Sequence, residues 1–361
     1  MLKTHSFYAP EKMHVHLDQF EFLSLNNQGY YKTYNDFKAV IPVIPKAKLS
    51  NIIGKLIANN DLEACSFSMT SGTTGEPKLL VNSIWRNKNK AHYAAYFKGI
   101  IGTYVLTKTD VVANLFTAGG FSTLYDGCNR LLEGIGCHLL PIGRLDQFSA
   151  IAQYQMIRKM WQVGLSVLFG TPSSIIYLLK LSKQNGVNLN IKKIIFTGEP
   201  FSHEKRDFIK TVWPGAHIYG LYGHSETGFI AFNTPQCENQ HYHYLSDWFF
   251  LEVIHDGELL VTSYADTLMP IIRYQVGDRV SLYDHPCGCG IDLPILSLQG
   301  RKDKKFNFSG NLISSDIVKD TLSKLFLRDI EFQIHLRSGQ EGRDELVLLL
   351  NKYQRNEVKD N

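Results

Sequence analysis

No apolar run in this chain of 361 residues approaches the ~18 residues that a membrane-crossing helix needs, so nothing in it reads as a membrane span. Nor does any stretch collect about five or six like charges in a row. The 38 basic and 34 acidic residues are spread along the chain to a net +4, a pattern that marks neither a nucleic-acid nor a membrane surface. The opening segment MLKTHSFYAPEKMHVHLDQF lacks the apolar core of a secretory signal, and the location expected from it is cytoplasmic. Six cysteines in so long a chain do not make a disulfide framework. Cys65, Cys128 and Cys137 stand in apolar surroundings, as small buried hydrophobes do; Cys237, Cys287 and Cys289 lie in polar, turn-rich contexts. Internal repeats and low-complexity segments are absent as well.

What is present is an ordinary hydrophobic content of 44% with 12% aromatics, and a length that predicts about two unequal domains. Short apolar runs, VVANLF from Val111, GCHLLPIG from Gly136, LSVLFG from Leu165 and IKKIIFTG from Ile191, alternate with helix-period segments such as DQFSAIAQYQMIRKM and PSSIIYLLKLSKQNG. That alternation predicts βαβ units, an α/β fold and a mostly parallel sheet. From about Phe249 the period drops to two in FFLEVIH, DGELLVTSYA and RVSLYDH, with turns expected at Asp256–Gly257 and Gly277–Asp278. This β-rich subdomain, about residues 245–300, closes a large domain spanning residues 1–302. Beyond a hinge near Asp303, residues 303–361 read as a small α+β domain, with a helix at SSDIVKDTLSKLF and strands at EFQIHLR and ELVLLL.

Between two apolar runs, the stretch SFSMTSGTTGEPKLLV from Ser66 to Val81 crowds hydroxyls, glycines and one lysine. Such a loop can turn backbone amides and hydroxyls toward phosphate oxygens while an ammonium neutralises charge. A Walker loop needs Gly-Lys-Ser/Thr opening a helix. Here Lys78 follows Pro77, no hydroxyl follows it, and LLV continues as a strand, which excludes that reading and a P-loop kinase with it.

From Ser71 to Lys78 the string instead resembles the phosphate loop of adenylate-forming enzymes, the superfamily of acyl-CoA synthetases, adenylation domains and luciferases. Further motifs follow in family order: TGEP from Thr197, with Phe201 after it, is similar to the adenine-side loop of the phenylacetate-CoA ligase branch. YGHSETG from Tyr222, RYQVGD from Arg273 and GRKDKKFNFSGNLISSDI from Gly300 resemble the remaining superfamily motifs. The resemblance implies ATP as co-substrate, AMP as leaving product and Mg2+. On it, Ser71, Gly72, Thr73, Thr74, Gly75, Lys78, Gly198, Glu199, Pro200, Tyr222, Gly223, Ser225, Asp278 and Arg301 hold the nucleotide. Lys78, Thr74, Glu226 and His224 carry the catalytic step, with Mg2+ on Glu226. Physically, Tyr222 offers a ring for adenine, Asp278 a bidentate acceptor for ribose hydroxyls, and Arg301 a donor fork. His224 faces an acyl pocket on this reading or is a satisfied core histidine. Pocket walls are expected from Phe116, Phe121, Tyr125, Gly170, Thr171, Pro172 and Phe201, an aromatic lining that favours an aryl acid.

A Cys-x-Cys pair, Cys287 and Cys289, and an upstream set of Cys237, His241 and His243 supply a Cys₃His complement suited to structural Zn2+ if the fold joins them. Either histidine fits by spacing; the register of the phenylacetate-CoA ligase branch implies His243. Only 58 residues follow Asp303, shorter than the family's usual small domain, and its late catalytic lysine is carried onto neither Lys352 nor Lys359. In size the chain is similar to short adenylating proteins of antibiotic pathways, phenazine-type ones among them. Three outcomes stay open: an acyl-adenylate passed to an acceptor protein or amine, a full CoA ligase, or a protein that binds nucleotide and acyl group without turnover.

Overall fold

The computed structural model describes residues 7–8, 30–31, 34–58, 65–69, 79–83, 88–238, 241–263, 271–283, 285, 287–301, 305–308, 311–326, 332–338 and 344–350. The loop from Ser71 to Lys78, the hinge position Asp303 and the terminal lysines Lys352 and Lys359 lie outside these residues. Strand β1 (Phe7–Tyr8) pairs with β2 (Tyr30–Tyr31). Helices α1 (Tyr34–Val40) and α2 (Lys46–Ala58) follow, then β3 (Cys65–Met69) and β4 (Leu79–Ser83). These two strands pair antiparallel with Met69 opposite Leu79, so the hydroxyl-rich loop joins the ends of a hairpin. Met69 also donates its amide to the Phe121 carbonyl at 3.2 Å, which seats the end of β3 beside the Phe116–Tyr125 segment.

The centre of the molecule is one eleven-stranded sheet. Its first part alternates with helices: α3 (Lys88–Tyr104), β5 (Val111–Asn114), α4 (Thr123–Ile135), β6 (His138–Leu140), α5 (Ala150–Gln162), β7 (Val167–Gly170), α6 (Pro172–Gln184), β8 (Lys193–Phe196), α7 (His203–Val212) and β9 (His217–His224). All pairings among β5 to β9 are parallel. Residues alternate between two cores along these strands: Val112, Val167, Phe169 and Ile195 face one cluster, and Ala113, Leu168, Ile194 and Phe196 the other. This is the two-sided burial that parallel strands require, because crossover helices cover both faces. Ser149, Thr171 and Ser202 cap α5, α6 and α7 by accepting backbone amides from Ala152, Ser174 and Lys205, each satisfying a helix-end donor.

The β-rich stretch continues the same sheet. After β9 come β10 (Gly228–Asn233), β11 (His241–Tyr244), β12 (Phe249–Val253), β13 (Glu258–Ser263), β14 (Tyr274–Tyr283) and β15 (Ile295–Arg301), all paired antiparallel, in the overall order β12-β13-β14-β15-β11-β10-β9-β8-β7-β5-β6. Of the two turns expected there, Asp256 and Gly257 take left-handed φ values of 63° and 78° and close the β12–β13 connection as a tight hairpin turn does. Gly277–Asp278 is not a turn. It lies inside β14, where the pairing with β13 slips between Glu258 and Leu260 and Gly277 has φ 86°. A Gly-Asp pair has turn propensity, but here glycine serves a bulge, which bends the strand and re-aims the next side chain, Asp278.

Beyond β15, β16 (Lys305–Phe308) pairs with β17 (Asn311–Ser314), α8 (Ser315–Phe326) follows, and β18 (Phe332–Ser338) pairs with β19 (Asp344–Leu350). The helix-plus-hairpin pattern expected after the hinge is present. Its visible tie to the large domain is Lys205 of α7, whose ammonium lies 2.8 Å from Asp344 and 4.0 Å from Glu199. The Lys205 side chain is only 6% exposed.

Candidate active site and metal cluster

Two polar clusters stand on the antiparallel half of the sheet. The first begins where β9 turns into β10. Gly223 has no room for a side chain: a Cβ there would overlap the Gly228 carbonyl. The turn therefore closes tightly and sets Glu226, buried, beside β14. Glu226 Oε1 accepts from the Tyr274 hydroxyl at 3.1 Å and pairs with the Lys46 ammonium at 3.2 Å. Burial alone would push this carboxyl up; Lys46 and then His224 outweigh it and hold the group below its ordinary range.

Asp278, re-aimed by the bulge, meets the end of β9. The Tyr222 hydroxyl donates to Asp278 Oδ2 at 2.8 Å, His224 Nε2 lies 3.2 Å from the same oxygen, and Arg301 Nε is 3.6 Å from Oδ1. Burial raises the Asp278 carboxyl, but His224, Arg301 and the Tyr222 hydrogen bond together hold it below its usual value. The first cluster thus holds two buried, ionised carboxylates, each with a cation in contact. Tyr222 is 8% exposed and engages the cluster through its hydroxyl. Its ring meets His224 edge-on and tilts against Tyr242. His224 stands against the Asp278 carboxylate. Ser225 sits exposed in the turn.

Of the adenine-side motif, Gly198 has φ 83°, Pro200 is exposed, and Glu199 is buried. Glu199 Oε2 accepts from the Ser173 amide at 3.2 Å and hydroxyl at 2.6 Å, while Oε1 has no hydrogen-bond partner among the described residues. Burial, only partly offset by Ser173 and Lys205, raises its pKa. Glu199 thereby ties the motif to the start of α6, where Gly170, Thr171 and Pro172 lie. The expected pocket aromatics are not gathered on one wall. Phe116 packs edge-on against Phe169 in one core, and Phe201 against Phe196 in the other. Phe121 is 53% exposed, and Tyr125 donates its hydroxyl to the Pro141 carbonyl.

In the second cluster, Cys237, His243, Cys287 and Cys289 bring their ligand atoms within 4.8 Å of one another. His243 resolves the choice between the two histidines. A backbone carbonyl can only accept, so the contact of Nδ1 with the Leu293 oxygen at 3.0 Å protonates Nδ1. Nε2 then faces the thiols, 3.0 Å from Cys289 Sγ. His241 lies on the same face of β11, about 6.6 Å along the strand, and pairs with Glu238 at 3.5 Å. Three thiols and an imidazole oriented through its other nitrogen match the donor set and outer shell of a tetrahedral zinc site. Burial first pushes the Cys287 pKa up; the Cys289 amide works against it, and the Cys289 and Cys237 side chains add to the rise.

Sequence reasoning missed Lys46 and Tyr274. Tyr274 stands inside the quoted RYQVGD string; Lys46 has no local signal except its place, since a lysine in the first turn opposes the helix dipole.

A family model described as AMP-binding enzyme matches residues 45–245. An indoleacetate–lysine synthetase of Pseudomonas savastanoi is 29% identical over 323 residues, 89% of this chain and 78% of that protein. A 2-hydroxyisobutyryl-CoA ligase, solved with 2-HIB-AMP and CoA, superposes with a TM-score of 0.67 at 22% identity, covering 88% of this chain and 70% of the other. An amide bond synthetase from Marinactinospora thermotolerans superposes with a TM-score of 0.52 at 14% identity over 79% of this chain and 58% of the other.

Proposed function

This chain is a member of the AMP-binding enzyme family, and we propose that it is an acid–AMP ligase that activates an aryl carboxylic acid and hands the acyl group to an amine. The acid's carboxylate oxygen attacks the α-phosphorus of ATP, the bond to the bridging oxygen breaks, and pyrophosphate leaves. The amine nitrogen then attacks the acyl carbon, loses a proton, and AMP departs with the bonding pair. Asp278, held by Tyr222, His224 and Arg301, accepts the ribose hydroxyls. Glu226, ionised although buried, fits a hard divalent cation, and bound Mg2+ supplies charge neutralisation for the phosphates. Lys78 and the Thr73 and Thr74 hydroxyls offset charge on the departing pyrophosphate, and Thr74 with Lys78 acts from the hairpin loop flanked by β3 and β4.

The observation that carries this reading is the pair of buried carboxylates, Glu226 in the β9–β10 turn and Asp278 in β14, each set against basic and hydroxyl side chains. The choice of aryl acid and amine is supported by the name of the indoleacetate–lysine synthetase relative. The Cys237, His243, Cys287, Cys289 cluster takes structural zinc on this reading, which supports placing the chain near the phenylacetate-CoA ligase branch.

The test is acid-dependent ATP–pyrophosphate exchange with Mg2+ over a panel of aryl and aliphatic acids, followed by mass spectrometry with amines or CoA as acceptor. Aryl-dependent exchange and an amide product are expected. Exchange with none of the acids would remove the adenylating reading, and a thioester formed in preference to an amide would replace the acceptor.

A further inference from the structure

Lys46 and the segment that presents it have no part in the roles assigned so far. The segment runs from Phe37 to Lys46 and is strapped to β14. Ile44 donates its amide to the Arg273 carbonyl and accepts from the Gln275 amide, each at 3.0 Å, a parallel bridge opposite Tyr274. Arg273 clamps the strap further. Its guanidinium lies over the Phe37 ring at 5.9 Å, donates to the Ile41 carbonyl, and meets the buried Glu252 carboxylate at 3.2 Å. Arg273 does this from φ 42°, a left-handed conformation that strains a bulky residue. Such strain persists only where surrounding contacts hold it, and it collects at functional sites. The strap ends by pointing a lysine, the first residue of α2, at Glu226. A cation there works against the helix dipole, and no acidic residue stands in that first turn to balance it. The position makes sense for the carboxylate it faces, not for the helix.

The contact itself is asymmetric. Glu226 Oε1 has two lone-pair directions and receives both the Tyr274 hydroxyl and the Lys46 ammonium. Tyr274 is 1% exposed and has nowhere to go. The Lys46 side chain is 34% exposed, against 3% for Glu226. A divalent cation that binds through Oε1 must displace one of these two partners. One that binds elsewhere on the carboxylate sets two positive charges against a third. In both cases the half-exposed lysine is the partner that gives way.

The geometry points to Lys46 as a placeholder cation: it holds the buried Glu226 carboxylate in orientation before the nucleotide arrives, and exchanges its place with the incoming divalent metal. This rests on the reading of Glu226 as the metal ligand. Lys46 is therefore a positioning residue that acts through Glu226, and it sets the metal concentration at which the site fills.

The experiment measures Mn2+ binding by electron paramagnetic resonance in the full chain with α,β-methylene-ATP. Wild type is compared with Lys46→Met, Lys46→Gln, Lys46→Arg and Glu226→Gln, with an unfolding curve for each. Loss of the competing cation is expected to lower half-saturating Mn2+ by about two- to five-fold in Lys46→Met and Lys46→Gln, the size of a partly exposed ion pair. Lys46→Arg keeps the charge and the wild-type affinity. Unchanged or weaker Mn2+ binding in the neutral variants overturns the placeholder role, as does an arginine variant that matches them. Wild-type Mn2+ binding in Glu226→Gln instead removes the reading of Glu226 as metal ligand, and the proposal falls with it. The two neutral side chains differ in polarity and length, so a folding defect in one leaves the other to decide.

Discussion

The two polar clusters sit on the same antiparallel half of one sheet and solve opposite problems. Around Glu226 and Asp278 every buried negative charge already has a protein cation or hydroxyl against it: Lys46 and Tyr274 for one, His224, Arg301 and Tyr222 for the other. Around Cys237, His243, Cys287 and Cys289 the ligand atoms converge to within 4.8 Å of one another, with no ion pair to a lysine or arginine recorded among the described residues. A cluster that neutralises itself can stand without a ligand and exchange one partner for another. A cluster of converging lone pairs needs a cation to be stable at all. On the proposed function, the first cluster serves turnover and the second serves folding.

The comparison can be broken most strongly at the thiol cluster. The protein should contain one zinc per chain by elemental analysis, and chelation or Cys287→Ser should lower unfolding free energy by about 5 kcal/mol or more, since structural zinc binding is folding energy. No zinc together with unchanged melting would show that the thiols are simply reduced cysteines in a turn. At the other cluster, Glu226→Gln should cost much less stability than Cys287→Ser yet reduce pyrophosphate exchange on the order of 10²- to 10³-fold, the effect of losing one preorganised charge-stabilising group. A large stability loss with little kinetic effect would reverse the assignment of the two clusters. Smaller still is Asp278→Asn, expected to raise KM for ATP about ten-fold, a loss of ~1.4 kcal/mol of binding. Because Asp278 is held below its ordinary pKa, its contribution to stability is complete above the unfolded carboxylate value. That contribution disappears as pH falls through the folded one. Wild-type stability should therefore drop toward acid pH more steeply than that of Asp278→Asn, as read from unfolding midpoints between about pH 7 and pH 3. The smallest effect belongs to His241→Ala, which should change zinc content not at all and stability by no more than about 0.5 kcal/mol; a loss of zinc would return His241 to the ligand set.

Much of the parallel half was legible in the chain, because buried strands between crossover helices are apolar on both faces and announce themselves as runs. VVANLF, LSVLFG and IKKIIFTG each contain the strand expected of them. The antiparallel half was legible only strand by strand. Period-two alternation reveals an exposed or half-buried strand but not its neighbour, so the continuity of β9 through β15 depends on pairings distant in sequence. Gly277–Asp278 reads locally as a turn, and only the partner strand makes it a bulge. The same limit applies to the clusters. Cys287 and Cys289 are visible from their spacing, whereas the choice of His243 over His241 depends on where β11 meets β15. Glu226 and Asp278 are visible in motifs; Lys46, 180 positions before Glu226 in the chain, is brought to it by the strap on β14.

Lys205 has a consequence in the time domain. Its ammonium stands between two acids, Asp344 of the β18–β19 hairpin at 2.8 Å and Glu199 of the adenine-side loop at 4.0 Å. A hairpin that lifts away would leave this buried charge within reach of Glu199, whose second oxygen lacks a hydrogen-bond partner among the described residues. Departure becomes a hand-over from one carboxylate to the other, with no interval in which a bare ammonium is stranded in the interior. The ion pair that anchors the hairpin would thus be exchanged, not simply broken, if Asp344 moved away.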